Sequence, residues 1–219
     1  MEKESLQQQA YSIIKEKIIN CEYMPNSTLS ENFLCEATNS SRTPVREALR
    51  RLEHERLITV IPKTGILVNQ ISINEINMIF EARCLVEPFV IRNYAQTLDS
   101  LPLLELYSYF SDKYKTEDAY KVFKTDDAFH TLLISACKNV YLKQMYTQTA
   151  LHNSRLRIFS GKTSPKRLHE TSQEHVKVLD YLLKREFSLA ADAMYLHLSE
   201  ARNATFKLVL SNSELGNNL

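Results

Sequence analysis

Apolar residues recur at helical spacing through the first 40 residues of the chain. Residues 5–20 predict a helix whose apolar face is formed by Ala10, Tyr11, Ile14 and Ile18. A turn at residues 23–27, YMPNS, separates it from a shorter helix that we expect over residues 30–38, with Ser30 as its N-cap. Residues 39–41 carry another turn signal. Two helices and two turns are therefore predicted before the next segment.

The segment SSRTPVREALRRLEHERL, residues 40–57, predicts a third helix. Its apolar positions follow the i, i+3, i+4, i+7 pattern, with Val45, Ala48, Leu49 and Leu52. Ser41 or Thr43 can cap this helix, and Pro44 suits a first turn. The pattern then changes to two short β-branched runs at residues 58–61 and 66–68, around a turn at residues 62–65, which indicates a hairpin. Three helices and a hairpin are the parts of a winged helix-turn-helix domain.

The chain from Ser72 onward has helical periodicity only. Ser72 and Glu75 form a possible capping box for a long helix that reaches about Leu98. Five more helices are expected between breaks near residues 100–102, 115–116, 138–139, 160–165 and 187–188. The predicted fold is mostly α, with a winged helix-turn-helix domain at residues 1–71 and an all-α bundle at residues 72–219.

Composition narrows the class of protein. The net charge is +1, so affinity for nucleic acid must come from local charge placement, and residues 42–51 hold four arginines against one glutamate. The four cysteines form no C-x-x-C pair, which argues against a thiolate zinc site. We find no signal peptide, membrane span or Gly-rich phosphate loop, and therefore expect a soluble, cytoplasmic protein without membrane partners.

The arginine-rich helix has two interpretations. Arg46 and Arg50 lie one turn apart and away from the apolar stripe, while Arg42 lies at the helix start. This is the arrangement of a recognition helix in the major groove of double-stranded DNA, where arginine pairs with guanine. The alternative is an ordinary solvated face of paired arginines and glutamates. The preceding helix, the tight turn and the hairpin with Lys63 favour DNA.

Three histidines in the second half suggest metal chemistry. Asp126 and His130 are four residues apart and adjacent on one helix face, while His175 and His197 lie on two other predicted helices. One carboxylate and three imidazoles suit zinc, nickel, manganese or a related divalent ion. The alternative is that each is a separate histidine on a helix surface or core edge.

The segment from Pro25 through Val68 resembles the GntR-type winged-helix regulators. The resemblance rests on Leu29-Ser30-Glu31, on the specific signature SRTPVREAL and on the wing tip at residues 62–65. It implies that Arg42, Thr43 and Arg46 contact operator DNA, with Arg50, Lys63 and Gly65 nearby. Relatives usually have glycine where Cys21, Asn26 and Arg56 stand here, and many have a basic residue near Asn32.

The second half resembles the FCD ligand-binding domain of the FadR subfamily of GntR regulators. D-x-x-F-H, E-H and H-L, on three helices, match that domain's metal-binding pattern and imply Asp126, His130, His175 and His197 as ligands. EARCLVEP at residues 81–88 resembles its first helix and implies that Arg83 faces an effector pocket or a dimer surface. Arg155 and Arg157 are either anion contacts or exposed charges.

Together the two resemblances imply a DNA-binding transcriptional regulator, in most relatives a repressor. We expect a homodimer on a pseudo-palindromic operator, controlled by a small organic acid bound near the metal. A regulator for which the metal itself is the signal is one alternative. A metal-dependent enzyme is another, but the chain has no H-E-x-x-H motif and no nucleophile elbow.

Overall fold

The computed structural model of the protein describes residues 5–112, 119–160 and 164–216. The chain divides into two compact units, Met1–Ser72 and Ile73–Leu219. Among the described residues, no helix is long and apolar enough to cross a membrane.

The first unit contains the three predicted helices and a small sheet. In chain order its elements are α1 (Leu6–Ile19), β1 (Thr28–Leu29), α2 (Glu31–Ala37), α3 (Arg42–His54), β2 (Ile58–Ile61) and β3 (Gly65–Val68). The hydroxyls of Ser5 and Ser30 cap α1 and α2 by accepting backbone N–H bonds from Gln8 and Phe33. The predicted apolar faces of α1 and α3 are all buried, so both stripes are confirmed.

The sheet has a strand that the sequence did not predict. β3 lies between β1 and β2 and pairs antiparallel with both, with Thr28 opposite Leu67 and Ile61 opposite Gly65. β1 has only two residues, so it is too short to show the alternation that identifies a strand. It ties the segment before α2 to the wing.

The start of α3 corrects one expectation. Ser41 occupies the N-cap position, but its side chain makes no capping hydrogen bond. Pro44 is the third residue of the helix and lies in its first turn, as predicted. The three positions where relatives carry glycine all have left-handed backbone, with φ of 55° at Cys21, 66° at Asn26 and 58° at Arg56. Such angles cost a non-glycine side chain free energy, which explains the glycines of the relatives.

The second unit is helical throughout the described residues. Its elements are α4 (Ile73–Tyr94), a 3₁₀ turn (Ala95–Thr97), α5 (Ser100–Ser111), α6 (Ala119–Ser135), α7 (Val140–Ser160), α8 (Pro165–Leu183) and α9 (Phe187–Gly216). Within the described part of this unit, five helices follow the first, as predicted. The first ends four residues earlier than expected, because the chain tightens into the 3₁₀ turn. The break predicted at residues 115–116 lies outside the described residues.

The core of the second unit surrounds the predicted histidines. Its buried apolar side chains come from α4, α5, α6, α8 and α9, and include Ile91, Phe110, Phe129, Val178 and Met194. The rings of Phe110 and Phe129 lie with their centroids 4.5 and 4.6 Å from that of His175. The imidazole of His175 is therefore packed against two aromatic rings.

Candidate metal site, ligand cavity and DNA-binding surface

Three imidazoles from three helices meet in the core of the second unit. His130 of α6, His175 of α8 and His197 of α9 are each no more than 3% exposed. One ligand atom of each lies within 4.8 Å of those of the other two. Nε2 of His175 and Nε2 of His197 are only 3.2 Å apart. The structure thus brings together the three histidines that the sequence singled out.

Asp126 joins this cluster from one turn earlier on α6. Its Oδ1 atom lies 3.3 Å from Nε2 of His175, and its Oδ2 atom accepts a 2.6 Å hydrogen bond from Nη1 of Arg157. Burial alone would raise the pKa of Asp126, but the Arg157 guanidinium and the neighbouring imidazoles lower it below its ordinary value. The carboxylate therefore stays ionised and available as an oxygen donor.

A buried carboxylate fixes the ring of His130. Oε2 of Glu87 lies 2.6 Å from Nδ1 of His130, and Oε1 of Glu87 accepts a 2.6 Å hydrogen bond from Nε of Arg83. Burial would raise the pKa of Glu87, but Arg83 and then His130 overcome this and lower it to about 2. An ionised Glu87 accepts the hydrogen bond of Nδ1 of His130, so Nε2 is the ring nitrogen left to bind a metal ion.

A second carboxylate does the same for His197. Oε2 of Glu174 lies 2.7 Å from Nδ1 of His197, and both oxygens of Glu174 accept hydrogen bonds from Arg167, at 2.6 and 3.0 Å. Burial opposes the ionised form, but the hydrogen bonds from His197 and Arg167 lower the pKa of Glu174. Nε2 of His197 is therefore also turned toward the cluster as an acceptor.

Two of the imidazoles, His175 and His197, are held neutral. Burial lowers the pKa of His175 well below its ordinary value of 6.5, and the neighbouring His197 lowers it further. Burial also lowers the pKa of His197, although Glu174 opposes the shift. Nε2 of His130 is buried and has no hydrogen-bond partner among the described residues. Buried polar atoms normally have hydrogen-bond partners, so a buried imidazole nitrogen without one suggests that the cluster is not simply a hydrogen-bond network. Neutral imidazoles are the form that binds transition-metal ions, and the cluster therefore fits such an ion.

A cavity opens beside the cluster. It encloses about 740 Å³, its open mouth included, and its wall contains Asp126, His130 and His197. Three arginines, Arg83, Arg157 and Arg167, also line it, together with polar groups such as Asn153. The remaining wall is apolar, from residues such as Phe80 and Leu156. A cavity lined in this way, apolar with a few convergent cations, has the features of a small-anion site.

Helix α3 of the first unit exposes the residues that are predicted to contact DNA. The side chains of Arg42, Arg46 and Arg50 are 67%, 61% and 76% exposed, and Thr43 is exposed as well. Each of these arginines contacts an acidic or amide side chain of the same unit. Glu31 and Asn32 contact Arg46 and Arg42, and Glu47 contacts Arg50.

The wing places its two predicted residues differently. Lys63 is exposed at the tip with a φ of 66°, whereas Gly65 begins β3 with a φ of 136°. A Cβ atom on Gly65 would lie 2.7 Å from the backbone oxygen of Leu29. The wing therefore needs glycine here to let β1 approach. Lys63 presents its charge outward.

Several residues of the second unit were missed or left open by the sequence reasoning. Glu87, Glu174 and Arg167 were missed, although Arg83 and Glu87 occupy buried positions on α4 where a helix normally carries apolar residues. Charged residues at apolar positions of a helix were the sequence signal that could have identified Arg83 and Glu87 as buried functional residues. Arg157 lines the cavity and Arg155 is 1% exposed, so the alternative of two exposed charges is wrong.

Comparison with known proteins defines the class. The model of the bacterial regulatory proteins of the gntR family matches residues 6–68, and the model of the FCD domain matches residues 78–200. The chain belongs to the GntR family and carries an FCD domain in its second half. It is a transcriptional regulator; the family and the curated relatives are regulators rather than enzymes, as the sequence analysis expected.

Curated relatives extend over most of the chain. The HTH-type transcriptional repressor RspR of Escherichia coli is 27% identical, over 94% of this chain and 92% of its own length. The HTH-type transcriptional repressor GlaR of the same organism is 28% identical, over 86% and 90%. The gluconate operon transcriptional repressor of Bacillus subtilis is 28% identical, over 69% and 62%.

Solved structures share the fold. A GntR transcriptional regulator from Rhodococcus sp. RHA1 superposes with a TM-score of 0.75 and 22% identity, covering 92% of this chain and 97% of the other. E. coli McbR/YncC gives a TM-score of 0.78 and 18% identity, covering 94% and 99%. At these identities the likeness supports the two-part fold and says nothing of ligands.

Proposed function

We propose that the protein is a repressor whose affinity for operator DNA is controlled by a small carboxylate bound beside a divalent metal ion. The single observation that carries this proposal is the meeting of three buried imidazoles beside a cavity lined by three arginines. The regulator class is established by the family, whereas the metal and the effector are our proposal. As a regulator of bacterial DNA, the protein would act in the cytoplasm.

The metal would be held by His130, His175 and His197, with Asp126 as the oxygen donor. Glu87 and Glu174 orient two of these imidazoles, as carboxylates commonly do for metal-bound histidines. Three nitrogens and one oxygen suit zinc, nickel or manganese and do not suit calcium, which takes oxygen ligands. When bound, the ion would supply a Lewis-acidic centre at the cavity floor.

The charge balance supports an anionic effector. Each of the three carboxylates Asp126, Glu87 and Glu174 accepts a hydrogen bond from a guanidinium group, and His175 and His197 are neutral. A bound divalent cation would add positive charge beside the three cavity arginines, which favours an anionic ligand such as a carboxylate. Among the cavity arginines, Arg83 donates through Nε to Glu87, and its remaining N–H groups are the proposed effector donors.

The DNA contacts would come from the first unit. Arg42, Thr43, Arg46 and Arg50 are exposed along α3, and Lys63 is exposed at the wing tip. Gly65 would act by letting the wing form rather than by direct contact. A homodimer would place two recognition helices on a pseudo-palindromic operator, and the effector would shift the population of the binding-competent form.

A metal sensor is the second candidate, because the imidazole cluster is the most specific feature of the second unit. The two functions differ in what changes operator affinity: the ion alone, or a carboxylate in the presence of the ion. An enzyme is excluded by the family.

The first test is a metal analysis paired with a carboxylate screen. Full-length protein purified without chelator should contain about one divalent ion per chain by elemental analysis, and His175→Ala with Asp126→Ala should abolish it. Small carboxylates such as lactate, malate, citrate and gluconate should raise the melting temperature only of the metal-loaded protein. Protein that neither contains nor takes up a stoichiometric ion would overturn the metal proposal.

A further inference from the structure

The strongest unassigned feature of the first unit is an acidic residue among the exposed arginines. Both carboxylate oxygens of Glu31 lie 3.1 Å from Nε of Arg46, and Oε1 lies 3.9 Å from Nε of Arg42. Next to it, Oδ1 of Asn32 accepts a 3.3 Å hydrogen bond from Nη2 of Arg42. The first two residues of α2 thus touch both arginines at the start of α3.

Glu31 is held in a fixed place. It is the first residue of α2, directly after the N-cap Ser30, where the helix dipole favours a negative charge. Behind it, Leu34 of α2 and Val45 of α3 are both completely buried, so the two helices cannot shift freely against each other. The backbone that carries the Glu31 carboxylate is therefore held in place relative to the backbone that carries Arg46.

The contact also selects which part of Arg46 remains available. Glu31 takes the Nε–H group, so the outer edge with the two terminal nitrogens is left to face away from α2. Those two nitrogens are the pair that can reach O6 and N7 of a guanine together. A guanidinium that is already oriented loses less freedom when it binds.

The ion pair with Arg46 adds little stability of its own, because a pair this exposed contributes little to folding. A negative charge beside the recognition helix also weakens attraction to phosphates. The effect of Glu31 on the arginines that remains to be tested is therefore their orientation.

We infer that Glu31 is a positioning residue that sets the orientation of Arg46 for sequence-specific DNA recognition. This inference rests on the proposed contact of Arg46 with the operator. It makes Glu31 a determinant of specificity rather than of affinity. Removing its charge should strengthen binding to random DNA and weaken discrimination.

The chain offers a matched control in Glu47. This residue also lies beside the recognition arginines, but it contacts Arg50 through the terminal nitrogen Nη1, at 2.5 Å, rather than through Nε. Glu31→Gln and Glu47→Gln remove the same charge from the same unit. Both variants should therefore raise affinity for non-specific DNA alike, and only Glu31→Gln should change the specificity ratio.

The experiment uses full-length protein and a duplex that the wild-type protein selects from a random-sequence pool, with a shuffled duplex as non-specific DNA. Affinities are measured by fluorescence anisotropy at two salt concentrations, and thermal melting checks that each variant folds. We expect Glu31→Gln to lower the ratio of selected to shuffled affinity about tenfold. Glu47→Gln should leave that ratio within about twofold of the wild type.

A double-mutant cycle with Arg46→Ala decides the mechanism. Glu31→Gln should have no further effect on the ratio once Arg46 is absent. An equal ratio for Glu31→Gln and Glu47→Gln, or a loss that persists without Arg46, would overturn the positioning role while leaving the DNA contact intact. If Arg46→Ala itself leaves selected binding unchanged, the proposed contact fails, and the inference fails with it.

Discussion

Oε2 of Glu87 lies 2.6 Å from Nδ1 of His130, and both side chains are almost fully buried, although 43 residues separate them in the chain. This contact determines which nitrogen of His130 faces the cluster. Glu174 and His197 repeat the arrangement with a 2.7 Å contact, in a more accessible place. The proposed metal affinity thus depends on carboxylates that do not touch the ion.

Glu174→Gln tests that dependence. The variant removes the charge that holds the proton of His197 on Nδ1, and we expect metal affinity to fall by about 10- to 100-fold. Glu170→Gln is the control, because Glu170 lies on the same helix and also contacts Arg167, at 3.6 Å. Competition titrations with a chromogenic chelator give both affinities. Equal affinities for the two variants would show that Glu174 does not act on the site.

Arg83→Ala tests the buried ion pair on α4. The change leaves the carboxylate of Glu87, which is 0% exposed, without its guanidinium, and should lower the free energy of unfolding by about 3–5 kcal/mol. Arg92→Ala on the same helix breaks the exposed pair with Asp192 and should cost at most about 1 kcal/mol. Urea denaturation measures both. Similar losses would contradict the burial argument.

The stability of the metal-free protein should depend on pH between 7 and 5. The folded-state pKa values of His175 and His197 lie below the ordinary value of 6.5, so the unfolded chain binds more protons as the pH falls. The stabilisation is therefore present above pH 6.5 and lost below it, with a limiting slope of about 1.4 kcal/mol per pH unit for each imidazole.

Chemical denaturation at several pH values measures this slope. His175→Gln should reduce it, whereas His169→Gln, which changes an exposed histidine of the same helix, should leave it unchanged. The lowered pKa values of Glu87 and Glu174 affect stability only below about their ordinary value of 4.5, outside this window. A flat profile for the wild-type protein would contradict the neutral state of the imidazoles.

Gly65→Ala should destabilise the wing. The new Cβ atom would lie 2.7 Å from the backbone oxygen of Leu29, on a backbone with a φ of 136°, at an expected cost of about 1–3 kcal/mol. Thr64→Ala, one residue earlier and exposed, is the control and should change stability by less than about 0.5 kcal/mol. Thermal melting compares the two. An unchanged melting temperature for Gly65→Ala would mean that β1 does not constrain the wing.

Local patterns were sufficient for most of the fold. The apolar stripes of α1 and α3 identified both helices, because burial of one face is what a 3.6-residue repeat encodes. β1 was not predicted, because a two-residue strand is defined by its pairing with β3, about 40 residues later in the chain. For α3 the N-cap position at Ser41 was predicted, but its hydroxyl makes no capping hydrogen bond, because a serine at this position need not direct its side chain to the backbone.

The residues of the candidate site also divide into those that local sequence patterns identified and those that they did not. The three histidines were identifiable from their residue types and helical context, and the fold brings them together. Glu87 and Glu174 were not, because their roles arise from contacts with His130 and His197 on other helices. The contact of Glu31 with Arg46 was not predicted for a similar reason, since it forms only when α2 packs on α3.

The most direct test of the account is the operator affinity of the full-length protein with and without a carboxylate, before and after removal of metal. Anisotropy titrations on the selected duplex would use the carboxylate with the largest thermal shift. We expect it to change operator affinity by about 5- to 150-fold in the metal-loaded protein and to have no effect after chelation. A response to the ion alone would favour the metal sensor. The account would be contradicted if the carboxylate left the operator affinity of the metal-loaded protein unchanged. It would also be contradicted if the carboxylate changed operator affinity equally with and without metal.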